Sequence, residues 1–98
     1  MPFMGVQHER KVTHGERTFH VFTYQAYNAF GLIGPENNGV AICDVDKKQV
    51  LCDGIDREGS GYFGVSEAQV RAFERVCSMP WEEFQTFVNT QPSARYSI

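Results

Sequence analysis

Apolar and polar positions alternate over the first half of the chain and then change to a helical spacing. Thr18-Phe-His-Val-Phe-Thr-Tyr24 is rich in β-branched and aromatic side chains and reads as a half-buried strand. Gln7-His-Glu-Arg-Lys11 is polar on both faces and suits a solvated edge strand, whose charges discourage edge-to-edge aggregation. A two-residue turn at His14-Gly15 joins the two, because glycine takes a positive φ at no steric cost. That turn sets Val12 opposite Arg17, Arg10 opposite Phe19 and Glu9 opposite His20.

A second hairpin runs from Val40 to Val45, turns at Asp46-Lys-Lys-Gln49 and returns over Val50 to Asp53. An even loop places Val45 opposite Val50 and Cys43 opposite Cys52. Ala41, Cys43, Val45, Val50 and Cys52 then share an apolar face, with Ile42, Asp44, Leu51 and Asp53 on the other. Between the hairpins, Tyr24, Tyr27, Phe30 and Ile33 recur every third residue and permit a helical turn, while Gly31 and Gly34-Pro35 oppose a long helix.

Two helices follow. Ser66-Glu-Ala-Gln69 is a capping box, with a stripe of Val70, Phe73 and Cys77, Val76 beside it, behind the cap. The next helix is capped by Ser78 or Met79, takes Pro80 in its first turn and carries Glu82 and Glu83 at the positive end of its dipole. Its apolar face is Trp81, Phe84 and Val88, and Asn89 and Pro92 stop it. The predicted fold is α+β: an antiparallel sheet of about four strands in two hairpins, followed by two C-terminal α-helices packed on one face. It spans residues 1–98 as a single domain, with 91–98 as a mobile tail. The helical stripe is expected to meet Phe19, Val21, Cys43, Val45, Val50 and Cys52.

Composition narrows the function. The chain has 98 residues, 42% of them hydrophobic, enough for one compact core. A net charge of −3 lacks the basic footprint of a general nucleic-acid binder. The two abutting helices suggest a helix-turn-helix, but the second opens Met79-Pro-Trp-Glu-Glu83, which would set acids against phosphate. No direct nucleic-acid binding is expected. No apolar run approaches the roughly 20 residues of a membrane span, and no signal peptide is expected in the first residues. Cys43, Cys52 and Cys77 form neither a C-x-x-C nor a zinc spacing, which fits thiols in a reducing cytoplasm.

One loop carries more specific chemistry. Asp56-Arg-Glu-Gly-Ser-Gly-Tyr-Phe-Gly-Val-Ser-Glu67 places oxygen donors at alternate positions, a glycine at the sixth and a carboxylate at the twelfth. These twelve residues resemble the calcium loop of the EF-hand family. The resemblance implies Asp56, Glu58, Ser60, the carbonyl of Tyr62 and Glu67 as calcium ligands. Glu58 is longer than the usual Asp or Asn, the segment before Asp56 reads as a strand, and no second loop pairs with it. Asp44, Asp46, Asp53, Asp56 and Glu58 form an acidic cluster over 44–58, the basis for reading the chain as a small enzyme. There is no G-x-S-x-G elbow and no Walker-type phosphate loop. Tyr24, Tyr27, Phe30, Tyr62 and Phe63 lie where the structural signal is weakest and are the candidate partner-binding aromatics.

The leading expectation is a small non-enzymatic cytoplasmic protein acting through protein–protein contact. A homodimer through an edge strand or an aromatic patch is one form of it. Calcium binding by 56–67 and enzymatic use of 44–58 are the alternatives.

Overall fold

The computed structural model describes residues 6–25, 39–55, 65–91 and 96–97. Five strands, β1 (Glu9–His14), β2 (Arg17–Tyr24), β3 (Gly39–Asp44), β4 (Gln49–Ile55) and β5 (Tyr96–Ser97), form one antiparallel sheet in the order β1-β2-β3-β4-β5. Helices α1 (Glu67–Ser78) and α2 (Trp81–Thr90) fall between β4 and β5 in the chain. This is the α+β layout that the hydrophobic pattern predicts. The segment expected to be a mobile tail supplies β5, whose Tyr96 pairs with Val50.

The first hairpin is regular. Its two-residue loop is Gly15-Glu16, one step later than expected, and Val12 pairs with Phe19 and Arg10 with Val21. Gly15 takes φ +63° while Glu16 does not, so the glycine is needed at the first loop position rather than the second. Sliding a two-residue turn by one residue moves the register by two, so every side chain keeps its face. β1 lies at the sheet edge, as its polar composition predicts.

The second hairpin departs further. Its loop is Val45–Lys48, and Cys43 pairs with Val50, not with Cys52. Two irregularities flank Ile42, which pairs with Cys52, and Val40 pairs with Ile55. A bulge shifts the alternation, so Leu51 and Cys52 both join the cluster with Ile42. The expected single apolar face therefore divides. Ala41, Cys43 and Val50 join Phe22 and Tyr24 in a second cluster, and Val45 is exposed in the turn.

The helices cover the face that carries Phe19, Val21, Val40, Ile42, Leu51, Cys52 and Ile55. Phe73 and Val76 of α1, Met79 of the connection, and Phe84 and Val88 of α2 pack against it. In α1 the capping box forms in both directions, with Gln69 N–H donating to Ser66 Oγ at 3.2 Å and Ser66 N–H donating to Gln69 Oε1 at 3.2 Å. Gln69 is buried by that role, and Val70, expected in the stripe, is half-buried. Pro80 has no N–H and disfavours a helical Met79, so α1 stops and α2 starts within two residues. None of the helices among the described residues is long and apolar enough to cross a membrane.

Candidate functional site

The turn ends of the two hairpins meet beneath the start of α2. Asp44 closes β3 and has no exposed side-chain surface. Its Oδ1 accepts from Lys47 N–H at 3.1 Å, which shapes the β3–β4 turn. Its Oδ2 accepts from Arg17 Nη2 at 2.8 Å. The same turn is pinned to the start of β2 twice more: Thr18 N–H donates to Asp46 Oδ2 at 3.0 Å, and Val45 N–H to Thr18 O at 3.0 Å. Burial alone pushes the Asp44 carboxyl up. The Arg17 guanidinium and the backbone N–H groups of Lys47 and Asp46 more than offset this and hold it below the usual carboxylate range.

Arg17 also packs over two aromatic rings. Its guanidinium carbon lies 5.0 Å from the centre of the Phe19 ring and 5.4 Å from that of Trp81. Trp81 in turn stacks on Phe84 at 6.1 Å between centroids. His14 closes the cluster from β1, 5.4 Å from Trp81 and 4.9 Å from Phe84, with its Nε2 buried and without a hydrogen-bond partner among the described residues. Trp81 is half-buried and the Arg17 side chain is 42% exposed, so both reach the surface. A cavity of about 180 Å³ opens beside them, with Phe19, Leu51, Phe84 and Val88 as its floor and Arg17, Trp81, Gln85 and Asn89 around them. A shallow groove of about 440 Å³ lies on the other side of α2, where Arg75, Glu82, Glu83, Thr86 and Thr90 surround Met79 and Phe87.

Of the predicted metal ligands and partner-binding aromatics, Glu67 and Tyr24 lie within the described residues. Asp56, Glu58, Ser60, Tyr62, Tyr27, Phe30 and Phe63 lie outside the described residues. Glu67 opens α1 with its side chain 96% exposed, 3.8 Å from Arg71 one helical turn on. Tyr24 is buried in the second cluster, edge-on to Phe22, and does not contribute to an exposed patch of this chain. Within the acidic cluster, Asp44 accepts from Arg17 and from Lys47 N–H, and Asp46 from Thr18 N–H, so these oxygens tie the turn to β2. Among the described residues no three His, Cys, Asp or Glu side chains come together as a metal site.

The cysteines are all thiols. Burial, helped by the Asp53 carboxylate, pushes the Cys43 thiol up to about 11. Burial also raises Cys77, against the opposing influence of the Arg10 cation. Cys43 and Cys52 occupy different clusters, so the pairing that a straight register implies does not arise.

Sequence reasoning missed Arg17 and Asp44 as partners, since they are far apart in the chain and neither belongs to a motif. Trp81 was legible as part of the helix stripe, though not as a surface residue. Compared with known proteins, the chain matches no family model, no curated protein and no solved structure.

Proposed function

We propose that this chain is a small non-enzymatic interaction module, working in the cytoplasm through protein–protein contact, with the Arg17–Trp81 pocket as its contact site. One observation carries the reading: an arginine and a tryptophan stand together at the surface, held in place by a buried carboxylate, beside a side-chain-sized cavity. Trp and Arg dominate binding hot spots, and such residues act from well-packed pockets. A void of roughly 150 Å³ holds a single aromatic ring, whereas small-molecule sites start at roughly 300 Å³. The cavity therefore suits one anchoring side chain of a partner better than a free substrate. Because Asp44 and the aromatic faces already restrain Arg17, little side-chain entropy is left to lose on binding.

The test is site-specific photocrosslinking in cells of the source organism. A crosslinking residue replaces Gln85 at the pocket mouth, or Arg71 on the exposed side of α1 as a control. The expected result is one defined protein adduct from position 85, absent from position 71 and lost when Trp81→Ala is added. A second copy of the chain would appear as an adduct of twice its mass. Equal or no adducts at the two positions would overturn the reading.

A further inference from the structure

We draw no further inference here: the strongest candidate, the shallow groove beside α2 where Arg75, Glu82 and Glu83 surround Met79 and Phe87, has a rim that carries charges of both signs, and nothing in the structure shows what covers it.

Discussion

The two hairpins differ in what they ask of their residues. β1–β2 is a regular ladder whose outer strand stays polar and exposed, and a glycine alone makes its turn. β3–β4 is buried along β3 from end to end, is irregular around Ile42, and closes through a turn held by Asp44, Asp46 and backbone bonds. A strand open on one face tolerates a simple alternation. A strand packed on both faces must satisfy two sets of neighbours, and a bulge is the means of re-aiming side chains when one period cannot serve both. The candidate site arises where the two designs meet, because Arg17 follows the simple turn and Asp44 precedes the elaborate one.

Core truncations should separate the hairpins most strongly. Ile42→Ala, at a fully buried position beside the bulge, should cost about 3–4 kcal/mol, and Val12→Ala on the half-buried edge strand about 1 kcal/mol. Chemical denaturation measures both, and similar costs would break the contrast.

The ion pair comes next. Arg17→Ala leaves the Asp44 carboxylate buried with backbone partners only, and because Arg17 is itself partly exposed the cost should fall near about 2–3 kcal/mol. The folded carboxyl titrates below its ordinary value of 3.8. Its contribution is therefore complete above that value and is lost as pH falls through the lower folded value. Melting curves between neutral and strongly acid pH should show this fall in the native chain and a shallower one in Asp44→Asn. Parallel curves would remove Asp44 from the account.

The turns should respond in opposite directions by smaller amounts. Gly15 has φ +63° and open space where a methyl group would stand, so Gly15→Ala should cost about 1 kcal/mol through backbone strain alone. Lys48 holds φ 52° with a side chain, so Lys48→Gly should be neutral or stabilise by up to about 1 kcal/mol. Thermal melts of the two variants test this, and a loss of stability in both would show that side-chain contacts, not backbone conformation, govern the second turn.

Much of the fold was legible because its signals are local. Ser66 and Gln69 are three residues apart, Trp81, Phe84 and Val88 share one helical face, and the charges of β1 mark an edge. The face assignment of β3 and β4 was not legible. It depends on the irregularities around Ile42, and nothing in the alternation of Ala41 to Cys52 signals them. Gln69 illustrates a related limit: an amphipathic reading buries Val70, but the reciprocal cap draws the polar neighbour inside. The candidate site was legible least of all. Asp44 reads as a member of an acidic cluster, and only the pairing of Phe19 with Asp44 across β2 and β3 brings Arg17 to it.

The central claim is that Arg17 and Trp81 form a rigid, preformed contact site. Trp81 is the single tryptophan of the chain, so its fluorescence reports on that site alone. Time-resolved anisotropy should show the indole turning with the whole protein, and should gain a fast component of large amplitude in Asp44→Asn, where the guanidinium loses its anchor. A large fast component already present in the native chain, unchanged by the substitution, would contradict the account.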